Sequence, residues 1–246
     1  MNIVSYWYSD KIALSMAGAK PATREQYFDL YNTVENLAIT AGLPMPKIFI
    51  IEDPSPNAFA TGRNKEHSVV AVTTGLLSIM NKTELEGVIS HEMSHIGNKD
   101  MLLSTVAVVL VGFVSIVSNM MMRMTMFGGN RDNDREGGSG IFMIVGIILS
   151  ILAPIFATLI QLAISRKREY LADASGSLLT RYPEGLASAL EKINQYGKPM
   201  QRQSGAIAHL YIANPLGSGN FAKKASNLFS THPPIEDRIK KLRGSL

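Results

Sequence analysis

Two stretches of the chain are apolar on every face rather than on one. Met101–Met122 and Ile141–Ile164 contain no charged residue, and each matches the ~20 residues a helix needs to cross a bilayer. A helix that is hydrophobic all round is either buried or lipid-facing. Two such runs back to back predict a transmembrane helical hairpin, with a buried hairpin in a soluble core as the alternative. The remaining chain alternates normally. Tyr27, Leu30, Tyr31, Val34, Leu37 and Ala38 recur at helical spacing within Arg24–Ala41, and Gly42 followed by Pro44 ends that helix. Lys47–Ile51, Ala58–Thr61 and Val69–Thr73 read as short strands, the first two separated by the turn Pro54–Asn57 and the last closed by Gly75. Thr83 with Glu86 fits a capping box. A helix is expected to start there, carrying Leu85, Val88, His91 and His95, and nothing in its pattern stops it before the first apolar run.

This organisation predicts three blocks: residues 1–100, mixed α/β; residues 101–165, the membrane hairpin; and residues 166–246, largely helical, with a loop near Asn214–Gly219 and a last helix after Pro233-Pro234. The fold class expected is α+β, mainly helical, with a small sheet. Gly128–Gly140 joins the two spans, and its Arg131 and Arg135 are balanced by Asp132, Asp134 and Glu136. Arg166, Lys167 and Arg168 follow the second span directly. By the positive-inside rule the loop lies outside, and the two flanking blocks lie in the cytoplasm.

Composition adds little beyond this. The net charge of +4 is compatible with nucleic-acid binding, but no basic stripe with interleaved aromatics supports it. Cysteine is absent, so there is no disulfide framework, which suits a cytosol-facing catalytic part. The first ten residues lack the continuous apolar core of a cleavable leader.

The candidate chemistry sits just ahead of the first span. His91, Glu92 and His95 spell H-E-x-x-H, the zinc signature of metallopeptidases when it lies on a helix. Residues four apart stack on one face, so both histidines can offer a ring nitrogen to one metal. Glu92 then lies to one side, placed to take a proton from a zinc-activated water and give it to a leaving amine. Such a site needs a third protein ligand. Glu169 begins the helical stretch beyond the second span, and a hairpin brings its two ends back to the same membrane face. Asp173, one turn further, can accept the second N–H of a ligating histidine. The alternative for Glu169 is a surface pairing with Arg166 or Arg168.

Four motifs in order carry a family resemblance: HEMSH at His91–His95, NAFATG at Asn57–Gly62, EYLAD at Glu169–Asp173 and THPPIEDR at Thr231–Arg238. Across essentially its whole length the chain resembles the HtpX family, bacterial membrane zinc metallopeptidases of the gluzincin group related to the CAAX prenyl proteases. The resemblance implies a gluzincin-like peptidase domain with the membrane hairpin inserted in it. It also implies one zinc per chain, held by His91, His95 and Glu169, with Glu92 as the catalytic acid/base. The implied activity is endoproteolysis of misfolded or damaged membrane proteins under envelope stress, at the cytoplasmic face of the inner membrane. Family members carry a further pair of apolar spans before the equivalent of Ser5-Tyr6-Trp7-Tyr8; this sequence starts at Met1, just there, as a truncated or a shorter natural form would, and the anchoring expected of it then rests on one hairpin.

The remaining candidates are less determined by the residues themselves. His232 reads either as an oxyanion-stabilising group or as an ordinary histidine before a proline turn. Arg238 reads either as a partner of Asp173 or as a solvated charge on the last helix; the resemblance places both near the site. Asn57, Ala58, Phe59 and Ala60 are expected to form an edge strand that pairs with the backbone of an unfolded or extended polypeptide. Sequence preference should then be weak. A non-catalytic zinc-binding membrane protein is the rival reading, and it gives Glu92 nothing to do. The composition says nothing of oligomeric state.

Overall fold

The computed structural model describes residues 9–127, 139–202, 207–213, 215 and 231–244. In chain order these form α1 (Ser9–Ala17), β1 (Lys20–Pro21), α2 (Phe28–Ala41), β2 (Lys47–Ile51), β3 (Ala58–Gly62), β4 (Ser68–Thr73), α3 (Thr74–Ile79) and α4 (Lys82–Gly97). Then follow α5 (Asp100–Phe127), α6 (Ser139–Thr180), α7 (Pro183–Tyr196) and α8 (Ile235–Arg243). The fold is mainly helical with one small mixed sheet. The chain divides into two units: Met1–Leu102 together with Ser165–Leu246, and Leu103–Ile164.

The sheet of the first unit runs β1-β2-β4-β3. β2 and β4 are parallel, and β1 and β3 are antiparallel to their neighbours. The two-residue period of a strand sorts its side chains into two apolar layers. On one side Ile48, Ile50, Ala58, Ala60, Val70 and Val72 meet Leu30, Val34 and Leu37 of α2, Val88, Ile89 and Met93 of α4, and Leu186 and Leu190 of α7. On the other, Ile51, Phe59, Val69 and Ala71 pack with Ala13, Leu14 and Ala17 of α1 and with Met200 and Tyr211. α2 ends as its sequence demands: Gly42 takes φ 61° and its N–H returns to the last turn, a left-handed cap that glycine adopts without strain.

Two sequence expectations shift in this unit. The capping box lies one pair of residues earlier than Thr83 and Glu86. Asn81 is the N-cap of α4, its side chain accepting from the Glu84 N–H while the Glu84 carboxylate accepts from the Asn81 N–H. Asn is as strong a cap as Thr, and Glu84 has a second use, because Lys192 of α7 donates to it at 2.7 Å. Gly75 does not close β4 but lies in the first turn of α3, where a side chain would strike the Pro54 carbonyl.

Two helical stretches, Asp100–Arg123 and Ser150–Thr180, are long and apolar enough to cross a membrane, by length and composition. Their large apolar side chains face outward, with Phe113 64% and Ile116 68% exposed, which disposes of the buried-hairpin alternative. Pro154 lies inside α6. The inter-span loop expected at Gly128–Gly140 falls outside the described residues except for its last two, which open α6; the loop expected at Asn214–Gly219 falls outside them except for Pro215.

The capping assignment yields a direct expectation. Glu84→Ala should lower stability by about 1–2 kcal/mol, whereas Glu86→Ala should stay within about 0.5 kcal/mol of wild type. Urea unfolding of the two variants side by side measures this, and equal effects would refute the assignment.

Candidate metal centre

Three elements converge on one point. α4 presents His91 and His95 on one face, their rings edge-to-face with centroids 4.7 Å apart. α6 presents Glu169, Asp173 and Gly176 at i, i+4 and i+7, again one face. Gly176 is what lets the helices approach: a Cβ there would lie 2.9 Å from the His91 backbone nitrogen. α8 supplies Arg238, which is fully buried.

The nitrogens of the two imidazoles are divided by task. His91 Nδ1 lies 2.9 Å from Asp173 Oδ1, and His95 Nδ1 lies 2.6 Å from Asp100 Oδ2. Each Nδ1 is thereby placed to donate to its carboxylate, which turns Nε2 toward the shared position between the rings. The two Nε2 atoms are 3.1 Å apart; Glu169 Oε1 is 3.4 Å from that of His95, and Oε2 3.7 Å from that of His91. Arg238 clamps Asp173 from behind, Nε to Oδ2 at 2.9 Å and Nη2 to Oδ1 at 2.7 Å, and its Nη1 donates to the Ile212 carbonyl at 3.2 Å. His232 Nδ1 lies 3.1 Å from Glu169 Oε2.

Asp100 is the site residue that sequence reasoning missed. On a helix continuing from His95, residue 100 would lie roughly 140° around the axis and could not reach the ring. The helix does not continue. α4 ends at Gly97, Lys99 takes φ 58°, and α5 restarts at Asp100 with its carboxylate turned back to His95. Arg168 of α6 donates to the Asp100 carbonyl, which holds the break in place. The only available signal was an acid standing at the head of an uncharged run.

The electrostatics follow from burial and from these partners. Burial, then the neighbouring Arg238 guanidinium, hold His91 below the usual imidazole range, so it stays neutral as a metal ligand must. Burial alone would pull His95 down as well, but the Asp100 hydrogen bond and the Glu169 and Glu92 carboxylates outweigh it and raise the ring to about 9. Carboxylates that draw a proton to this point draw a metal cation by the same field. Burial pushes the Glu92 carboxyl up to about 7, against the pull of His95 and a backbone hydrogen bond from Ala60. Glu92 is 1% exposed, and its Oε2 accepts no hydrogen bond.

These residues fit a metal. Two imidazole nitrogens and a carboxylate oxygen lie within 4.8 Å of one another. Two ring nitrogens 3.1 Å apart need a proton or a metal cation between them, and the histidine–carboxylate bracing is the arrangement that metal ligands almost always have.

The strand expected to hold substrate has part of its edge occupied. The Asn57 amide donates to the Ala213 carbonyl at 3.0 Å and accepts from the Ala213 N–H at 3.3 Å. Ala58 accepts from the Ile212 N–H at 2.9 Å, and Phe59 bridges to Tyr211 with its ring buried against that tyrosine. Residues 211–213 thus lie along the first half of β3, and Asn57, Ala58 and Phe59 are engaged in holding them there. Ala60 is different: its amide meets Glu92. Arg238 is buried rather than a solvated surface charge, and Glu169 is buried too, so a surface pairing with Arg166 or Arg168 does not describe it.

The fold and this arrangement define a metallopeptidase, a helix bearing two histidines and an acid, set beside a strand. Residues 24–246 match peptidase family M48, and the chain belongs to that family. It is 51% identical over 240 residues to the protease HtpX homologue of Tropheryma whipplei strain Twist, covering 98% of this chain and 80% of that one. Against the protease HtpX homologue of Dictyoglomus turgidum the figures are 52% over 242 residues, 98% and 77%. The crystal structure of S. mikatae Ste24p shares the fold with a TM-score of 0.64 at 19% identity, covering 98% of this chain and 55% of that one. The chain is therefore a metalloprotease, with apolar helices suited to a membrane.

If Asp100 orients His95, Asp100→Asn should weaken metal binding about 10–100-fold. Competition against a chromophoric chelator reads this directly. An unchanged affinity would mean that His95 is held by its packing alone.

Proposed function

We propose that the chain is a membrane-embedded zinc endopeptidase in which His91, His95 and Glu169 hold the metal and Glu92 is the general base and acid. The observation that carries this reading is Glu92. A buried carboxylate with an unused oxygen, raised toward neutrality and set beside two imidazole nitrogens, costs stability unless it has chemistry to perform. The imidazole and carboxylate donor set suits zinc, as the H-E-x-x-H helix does. Bound there, zinc would polarise the scissile carbonyl and acidify a water molecule.

The chain's own residues do the rest. Glu92 Oε2 accepts the proton of the attacking water and passes it to the amide nitrogen as the C–N bond breaks. The hydrogen bond from Ala60 keeps the other carboxylate oxygen fixed while this happens. Asp173 and Asp100 keep both histidines in the tautomer that leaves Nε2 bare, and Arg238 offsets the negative charge that accumulates around Glu169 and Asp173. His232, beside Glu169, is placed to stabilise negative charge developing on the substrate oxygen. An extended polypeptide pairs with β3 from the Ala60 carbonyl toward Gly62, beyond the half of the edge along which 211–213 lie. Reading backbone in this way favours unfolded substrate over any particular sequence.

The two apolar helices, with Arg166, Lys167 and Arg168 behind the second, support a cytoplasmic orientation in a bacterial inner membrane. Misfolded or damaged membrane proteins would be the natural substrates there. The rival, a non-catalytic zinc-binding membrane protein, leaves the buried Glu92 unexplained.

Zinc-loaded protein in mild detergent should cleave an unfolded protein, and Glu92→Gln should bind zinc equally well while cutting at least about 100-fold more slowly. Chelation should abolish cleavage by wild type. Equal cutting by both proteins would remove Glu92 from the mechanism, and zinc binding without cleavage by either would favour the structural reading.

A further inference from the structure

A cavity of about 470 Å³ opens within the first unit, at the far end of β3 from the 211–213 segment. Its rim carries three cations, Arg63, Lys65 and Lys99, against one acid, Glu66, and Met101 and Leu102 line it on the apolar side. The metal centre uses none of these side chains. Met101 and Leu102 are also the first apolar residues of α5, whose candidate span begins at Asp100, and Leu102 is largely exposed. A fourth cation, Arg168, is fastened to the Asp100 carbonyl between Lys99 and Met101.

Where an apolar helix enters a bilayer, its first residues lie at the depth of the lipid headgroups. A pocket at that depth with a net positive rim and an apolar wall matches an anionic phospholipid on both counts: cations for the phosphate, Met101 and Leu102 for the start of an acyl chain. Lys99 owes its place on the rim to the same helix break that turns Asp100 toward His95, since its φ of 58° is a conformation that lysine rarely adopts. Charge, depth and apolar wall coincide in one cavity. We propose that this cavity binds the phosphate of an anionic phospholipid headgroup, an inference that rests on the membrane reading above.

The test uses the zinc-loaded full chain in detergent, titrated with phosphatidylglycerol and with phosphatidylcholine and read by native mass spectrometry. Phosphatidylglycerol should bind more tightly. The Lys65→Gln/Lys99→Gln double variant should lower its affinity about tenfold, while Lys65→Arg/Lys99→Arg should retain it. Equal affinity for the two lipids, or binding indifferent to the double variant, overturns the proposal. Inorganic phosphate and an acidic peptide serve as competitors: if either displaces the lipid with the same dependence on the lysines, the pocket serves a soluble anion or a polypeptide and the lipid assignment falls. Flotation with vesicles separates the two levels of failure. A chain that does not float sinks the membrane reading and the pocket together, whereas one that floats without headgroup selectivity sinks the pocket alone.

Discussion

Arg238 brings a guanidinium to a position with no solvent exposure and grips both oxygens of Asp173 there. Much of the site is arranged around that contact. Asp173 in turn holds the Nδ1 of His91, so the orientation of one candidate metal ligand, on a helix in the first half of the chain, is set by an arginine of the last helix, α8. The same guanidinium donates to the Ile212 carbonyl, and the Ile212 N–H is itself bonded to Ala58 at the edge of β3. Leaving either partner alone in that interior would cost about 3–5 kcal/mol. A buried pair of this kind is weak evidence for stability in itself; its value here is geometric. It joins α4, α6 and α8 at the one place where they must agree.

Around this clamp lies a surplus of carboxylates. Glu92, Asp100, Glu169 and Asp173 are all buried within hydrogen-bond or ion-pair reach of two histidines or their immediate surroundings, and Arg238 reaches two of them, Glu169 and Asp173. An interior of this composition favours a cation at its centre. That is the physical reason to read the cluster as a metal centre rather than as a charged core. The division of labour among the acids follows from position. Two brace imidazoles, one is a candidate ligand, and one keeps an oxygen unused.

Much of this could be read from the chain because it is local. The helical spacing of Leu30, Val34 and Leu37, the β-branched run at Val69–Thr73 and the i, i+4 spacing of His91 with His95 and of Glu169 with Asp173 all depend on one helix or strand at a time. The parts that escaped depend on breaks and on distant pairings. Asp100 reaches His95 only because Lys99 reverses the backbone, and no periodicity announces a left-handed lysine. Asn57 looked like part of an open strand edge because its partner, Ala213, lies 156 residues away in sequence. The capping box was misplaced by two residues because Asn81–Glu84 and Thr83–Glu86 present the same spacing, and only the packing of Lys192 against Glu84 distinguishes them.

The central claim is that two histidines and one glutamate hold a metal whose remaining position is left for substrate chemistry. X-ray absorption at the zinc edge of the loaded protein tests it most directly, by counting imidazoles in the coordination shell. Two imidazoles with oxygen donors completing the shell is the result expected. A shell with a third imidazole, drawn from the neighbouring His232, would describe a closed structural site and contradict the account.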